Sequence, residues 1–307
     1  MTTLSKRTPM RTSPLRYPEA ILDNWHTFAQ KRLTEVFQAA LDVPFDGSSR
    51  IVFLSDCHRG DNSRADGFAR NEELFLHALT CYYDDGFTYV EVGDGDDLWK
   101  NRQFRDIRLA HQRTFDLLHR FDQQDRLHLI VGNHETLGGR HDWTRKGGFI
   151  AHEGLILQHT RTGRRIFVIH GHQADFLGDR FHRVNGFLIR NVWRPFQLID
   201  FWGGTTSRGG SSKRERIIRS RITAWLRDRR QVVICGHTHR QAFAAPGEPP
   251  YFNTGSCIMP GIITGLEIQN GEIVPVKWSA RLGTNGNGTA RFERQLLASP
   301  RKLRTLN

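Results

Sequence analysis

Five mostly apolar runs in this chain each end in a short polar cluster, and that repetition constrains the fold more than any other feature. Ile51–Leu54 closes on Asp56-Cys57-His58, and Tyr89–Val92 on Gly93-Asp94. Leu127–Val131 closes on Gly132-Asn133-His134-Glu135, Ile166–Ile169 on His170-Gly171-His172, and Val232–Ile234 on Gly236-His237-Thr238-His239. Short apolar runs bounded by glycine and polar residues read as buried strands. Between them lie stripes at helical spacing: Leu74, Phe75, Ala78, Leu79 and Tyr82, then Phe104, Ile107, His111, Phe115, Leu118 and Phe121. An earlier helix is expected over 20–41 from Trp25, Phe28, Leu33, Val36, Phe37 and Ala40. Strands alternating with helices predict an α/β core. Sheets of that class gather their ligands at the C-terminal ends of strands, where these clusters fall.

The clusters supply carboxylates, imidazoles and one carboxamide. Taken singly, each has a plain reading: a strand-end Asp or His caps a helix, and Gly-Asp makes a turn. Taken in order, they form a ligand set for two divalent cations. Oxygen and imidazole ligands together suit Mn, Fe or Zn better than Ca. Two such cations roughly 3.5–4 Å apart can clamp the attacking and leaving oxygens of a phosphoryl displacement. His172 lies two residues from His170, on the same face of a strand. His111, His119, His128, His141, His152, His159 and His182 belong to no cluster and are read as structural.

Charge and cysteine content narrow the setting. The 307 residues carry a formal net charge of +12, which favours anionic partners: phosphorylated small molecules, nucleic acid or an anionic membrane surface. Plain solubility is the alternative. Cys57, Cys81, Cys235 and Cys257 form no CxxC pair, which fits reduced thiols in a cytoplasm. The first ten residues lack the apolar core of a signal peptide. No uncharged apolar stretch reaches the roughly 18–20 residues of a membrane helix.

Composition divides the chain. Residues 1–19 read as a loose basic arm, 20–280 as one domain, and 281–307, rich in Gly, Asn and Arg, as a frayed tail. Tyr251 to Ser279 reads as short strands around an Asn270-Gly271 turn. Block 175–230 stands apart, with 13 Lys and Arg against 5 Asp and Glu, a net +8. Leu177, Phe181, Val184, Leu188 and Val192 form one helical stripe there, ended by Pro195. An apolar patch over 196–202 follows, and then a second stripe of Ile218, Ile222 and Trp225.

The order of the five clusters resembles the calcineurin-like metallophosphoesterase superfamily over about residues 50–280. The resemblance implies a four-layer αββα sandwich with an inserted helical cap, here 175–230. It implies Asp56, His58 and His239 on a first metal and Asn133, His170 and His237 on a second. Asp94 would bridge the two, and His134 would serve as general acid to the leaving oxygen. Arg59, beside His58, is expected to hold a phosphate oxygen, against the reading of a surface arginine. Asp97 either orients a ligand or is a solvated loop carboxylate. His172 is expected to support the ligands or touch substrate.

The second cluster points to a branch. Protein phosphatases of the superfamily carry Gly-Asp-x-x-Asp-Arg-Gly, whereas this chain reads Gly93-Asp94-Gly95-Asp96-Asp97-Leu98-Trp99. The missing arginine counts against a phosphoprotein phosphatase. Asp97-x-Trp99 is similar to the UDP-2,3-diacylglucosamine pyrophosphatase branch, which also inserts a cap before its last Gly-His-x-His. That branch usually has arginine where this chain has His134. The likeness implies hydrolysis of a phosphoanhydride or phosphodiester, with a nucleotide-lipid as substrate. Mn is the expected metal, and the setting is cytoplasmic, at the inner membrane face. A cap that packs as a core hairpin or a dimer interface is the alternative to a lipid-binding one. A metal-dependent nuclease, favoured by the basic block, or a phosphoprotein phosphatase is the rival function.

Overall fold

The computed structural model describes residues 19–135, 145–146, 148–175, 212–227, 229, 231–282 and 290–306. In chain order the first elements are α1 (Glu19–Ala39), β1 (Leu41–Phe45), β2 (Ile51–Leu54), α2 (Glu72–Asp84), β3 (Thr88–Val92), α3 (Phe104–Ala110), α4 (Gln112–Asp122) and β4 (Leu127–Ile130). Then come β5 (Arg145–Lys146), β6 (Phe149–His152), β7 (Gly154–His159), β8 (Arg165–Ile169), α5 (Ser212–Arg227), β9 (Val232–Cys235), β10 (Ala242–Phe243) and β11 (Tyr251–Asn253). The last are β12 (Ile262–Gln269), β13 (Glu272–Leu282), β14 (Ala290–Leu296) and β15 (Arg301–Lys302).

The strands form two sheets. One runs β1-β7-β8-β9-β11-β10, and the other runs β14-β13-β12-β2-β3-β4-β6-β5 with β15 also on β13. Alternate residues of the central strands serve different cores, as a strand's two-residue period requires. Phe53, Val90, Val92 and Ile130 from one sheet meet Leu155, Leu157, Val168, Ile234 and Phe252 from the other. The neighbours Val52, Tyr89 and Leu129 face outward onto Phe75, Leu79 and Phe121 of α2 and α4. On the far side Ile156, Phe167 and Val233 face Leu33 and Val36 of α1 and Ile222 and Trp225 of α5. The layers are therefore αββα. Strands covered on both faces explain why the runs read as continuously apolar.

Three expectations change. The stripe over Phe104–Phe121 is two helices, not one: the chain breaks at His111 (φ −119°, ψ 37°), whose ring binds Asp66 and reaches Glu72. Residues 281–307 are not frayed where they are described. β14 pairs antiparallel with β13 from Val276↔Leu296 to Leu282↔Ala290, and Leu303 and Leu306 are buried in the core between the sheets. Main-chain pairing needs no apolar pattern, so this segment gave little signal. The second stripe of the 175–230 block is a layer of the sandwich, not a cap: Ile218, Ile222 and Trp225 pack on α1 and its sheet. The stripe Leu177–Val192, the patch over 196–202 and most of the basic arm lie outside the described residues.

Candidate metal centre

The five clusters meet at one edge of the sandwich. Three follow β2, β3 and β4 in one sheet, and two follow β8 and β9 in the other. The chain leaving β2 goes on pairing with the chain leaving β3: Asp56 N donates to Gly93 O at 3.0 Å, His58 N to Asp94 O at 2.9 Å, and Arg59 N to Gly95 O at 2.9 Å. Asp56, His58, Asp94, His237 and His239 all have φ between 49° and 67°. Non-glycine residues rarely adopt that left-handed region, and such strain concentrates at functional sites. It turns successive side chains of Asp56 and His58 toward one centre.

Two triads result. Asp56, His58 and His239 offer ligand atoms within 4.8 Å of one another, and so do Asp94, His170 and His237. In the first, Asp56 Oδ1 lies 3.1 Å from His239 Nε2, and the Nε2 atoms of His58 and His239 are 3.2 Å apart. The other oxygen of Asp56 accepts the His237 N–H at 2.9 Å and the Ser55 hydroxyl. In the second, Asp94 Oδ2 lies 3.2 Å from His170 Nε2. His58 Nε2 is 3.8 Å from that same oxygen, so Asp94 faces both triads. Gly132 is required here, because a Cβ would stand 2.0 Å from Asp94 Oδ1.

The electrostatics follow from crowding. Burial raises the Asp56 carboxyl, but His239, with its charge and hydrogen bond, and His170 hold it at about 2. Burial likewise opposes ionisation of Asp94, and His170 and His134 bring it well below the usual carboxylate range. Burial and the neighbouring His134 lower His58 to about 3. His170 is lowered by burial but raised to about 9 on balance by Asp94. His170 Nδ1 donates to the Val92 carbonyl at 2.8 Å, which leaves Nε2 bare in the neutral ring.

Around the triads stand the other expected residues. Asn133 is buried and opens the turn Asn133–Glu135, and the next N–H, of His134, donates to Asp94 Oδ1 at 2.9 Å. His134 stacks on Trp99 with centroids 3.8 Å apart, and its Nδ1 lies 3.0 Å from Asp97 Oδ1. Burial lowers its pKa, but Asp94 and Asp97 raise it above the ordinary imidazole value. Asp97 is thus a buried partner of His134, not a solvated loop group. His172 is buried beside His170 and His237, with centroids 5.5 and 6.3 Å away, and burial holds it well below its usual pKa.

Arg59 corrects the sequence reading. Its guanidinium is fully buried and spends its donors on Glu91 (Nη1–Oε2 2.7 Å, Nη2–Oε1 2.8 Å) and Asp96 (Nε–Oδ1 2.7 Å). It braces the loops from behind and cannot reach a phosphate. The sequence reading missed Glu91, although a carboxylate inside the run Tyr89–Val92 is itself a signal of a buried partner. It also missed Asp175, five residues after His170, whose Oδ2 lies 3.2 Å from His237 Nε2.

Likenesses to solved structures are remote. Vps29 from Chaetomium thermophilum aligns at 11% identity over 82% of this chain and 97% of that one, with a TM-score of 0.40. The cold-active protein-tyrosine phosphatase of a Shewanella species aligns at 16% identity over 83% and 82%, with a TM-score of 0.37. A protein serine/threonine phosphatase from Saccharomyces cerevisiae aligns at 14% identity over 92% and 91%, also at 0.37. No curated protein matches the chain. A family model does: Calcineurin-like phosphoesterase, over residues 49–241, a span that takes in all five clusters. By that match, over more than half of its length, the chain belongs to the calcineurin-like phosphoesterase family.

Proposed function

We propose that this chain is a dimetal hydrolase that cleaves a phosphodiester or phosphoanhydride by attack of water on phosphorus. One observation carries the reading. His170 gives its Nδ1–H to Val92 O and turns Nε2 toward Asp94 Oδ2, 3.2 Å away in a buried site. An imidazole nitrogen and a carboxylate oxygen that close need a cation between them: a proton on His170 in the metal-free protein, a divalent ion in the loaded one. Asp56 Oδ1 is also buried and faces His239 Nε2 at 3.1 Å. These donors fit a divalent ion of the Mn, Fe or Zn kind, and Mn is the expected occupant. Asp56, His58 and His239 would hold one ion, and Asn133, His170 and His237 the other, with Asp94 shared.

When bound, the pair supplies a Lewis acid for phosphoryl oxygens and lowers the pKa of water. The chain's own residues do the rest. Asp97 accepts the Nδ1–H of His134, and Trp99 fixes the plane of the ring. The proton on the remaining nitrogen is then free to pass to a leaving oxygen. Asp94 and Asp97, which raise the pKa of His134, keep that proton available.

The finer reading takes a nucleotide-lipid such as UDP-diacylglucosamine as substrate. It is supported by Asp97-x-Trp99 and by the placement of residues 176–211 before Gly236–His239. An anionic membrane surface, met from the cytoplasm, is part of the same proposal and is supported by the +12 charge. No helix among the described residues is long and apolar enough to cross a membrane.

The test is metal content and turnover together. Protein reconstituted with Mn²⁺ should hold two ions per chain and hydrolyse bis-p-nitrophenyl phosphate. Asp94→Ala should abolish hydrolysis while leaving the circular dichroism spectrum intact. A chain that binds no ion, or an Asp94→Ala variant of full activity, removes the proposal. Parallel assays on UDP-diacylglucosamine, a dinucleoside polyphosphate and single-stranded DNA then separate the substrate classes.

A further inference from the structure

Asp175 stands outside every motif, yet its Oδ2 serves two partners at the centre. It lies 3.2 Å from His237 Nε2, and it accepts Arg214 Nε at 2.7 Å together with Nη2. Both side chains are shielded from solvent, His237 6% and Asp175 9% exposed. A carboxylate only accepts, so Nε2–H of His237 is the donor. A neutral imidazole has one lone pair, and here it must sit on Nδ1.

We propose that Asp175 is a positioning residue that locks His237 in the Nε2–H tautomer and presents a bare Nδ1 to the group it forms with Asp94 and His170, with Arg214 holding Asp175 in place. The Nδ1 ligand role rests on the dimetal reading above. A carboxylate behind a ligating imidazole fixes the ring's orientation and raises its basicity. The scaffold favours this arrangement. Arg214 lies in the first turn of α5, and Arg221, further along the same helix, donates Nη1 to Ala174 O at 2.9 Å. The helix that follows residue 211 is therefore tied at two points to the chain that ends the fourth cluster. α5 packs through Ile222 and Trp225 on its sheet, which gives Arg214 a rigid base.

The experiment uses the full chain without and with Mn²⁺. Nitrogen-detected imidazole NMR on the metal-free protein, with the His237 signals assigned by their loss in His237→Gln, reads the tautomer directly. Calorimetric titration with Mn²⁺ reads the two binding steps. In the wild type His237 should be the Nε2–H tautomer. Asp175→Ala should shift it toward the mixture seen in free imidazole. One of the two Mn²⁺ affinities should fall by about 10–100-fold while the other holds. Arg214→Gln, which keeps the carboxylate, should shift both readouts the same way by less and guards against misfolding of Asp175→Ala. A wild type in the Nδ1–H tautomer, or wild-type affinities in both variants, overturns the proposal. A wild type that binds no Mn²⁺ at all fails the dimetal reading instead, and the NMR result then still decides the tautomer.

Discussion

Arg59 and Glu91 meet edge to edge in the interior, two parallel hydrogen bonds of 2.7 and 2.8 Å joining them with no solvent access to either side chain. Arg59 follows His58, and Glu91 precedes Asp94 by three residues, so the pair cross-links the backs of two candidate ligand loops. Asp96 adds a third contact at 2.7 Å, and Tyr89 donates its hydroxyl to Glu91. Removing the arginine leaves two buried carboxylates without their cation. Arg59→Ala should cost about 3–5 kcal/mol of stability. Urea unfolding of the metal-free protein measures it. Unchanged stability with a raised KM for a phosphodiester would restore the phosphate contact expected from the sequence.

Gly95 is fixed by the same pair. A Cβ there would lie 1.9 Å from Glu91 Oε1 and 2.5 Å from Arg59 Nη2. Both atoms are held from several sides and cannot retreat. Gly95→Ala should therefore destabilise by at least the roughly 1–3 kcal/mol of an overpacked core. Gly47→Ala, where nothing lies within 4 Å, should stay within about 0.5 kcal/mol of wild type. Equal melting temperatures for the two variants would contradict the crowding.

His111 gives stability a pH dependence of its own. Burial lowers its pKa, but hydrogen bonds to Asp66 and Glu72 raise it to about 9. The folded value lies above the ordinary 6.5, so the folded state holds the proton more tightly. That contribution is complete below about pH 6.5 and is lost as pH rises through about 9, an effect on the order of 3 kcal/mol. Unfolding free energies should fall over that interval, and His111→Gln should flatten the slope. A wild-type curve that is flat or rising from pH 6.5 to 9 would show that His111 is not the charged partner.

The layers were legible because strands buried on both faces leave unbroken apolar runs, and Ile51–Leu54 or Val232–Cys235 can hardly be anything else. The meeting of the clusters was legible because each follows such a run. Other features leave little trace in one dimension. β14 joins its sheet through main-chain bonds to β13 and through Arg294, whose guanidinium meets the buried Glu267, a pairing that no local pattern announces. Arg59 beside His58 looks like a substrate contact until Glu91, 32 residues away, is seen behind it. Asp175 is one carboxylate among many in the sequence, and only folding sets it against His237.

Cation removal should be visible in stability even without turnover. In the metal-free protein His58 and His239 face each other at 3.2 Å, and Asp94 lies 3.2 Å from His170 Nε2, where a proton takes the place of a metal. Protons must fill these gaps at a cost that a divalent ion removes. Binding to the folded state alone contributes about 2.7 kcal/mol per ion when the free ion is at a hundredfold excess over Kd. For a domain of this size that is a rise in Tm of roughly 5–10 °C per ion. Mn²⁺ should therefore raise the Tm in two saturating steps, and EDTA should reverse both. His239→Ala should abolish one step and keep the other, because His239 touches only the Asp56 triad. Lowering the pH toward 5 should weaken the step that uses His170, where a proton competes for the ligand nitrogen. A Tm that ignores Mn²⁺ and EDTA alike across this range would mean that the clustered acceptors are satisfied by protons alone.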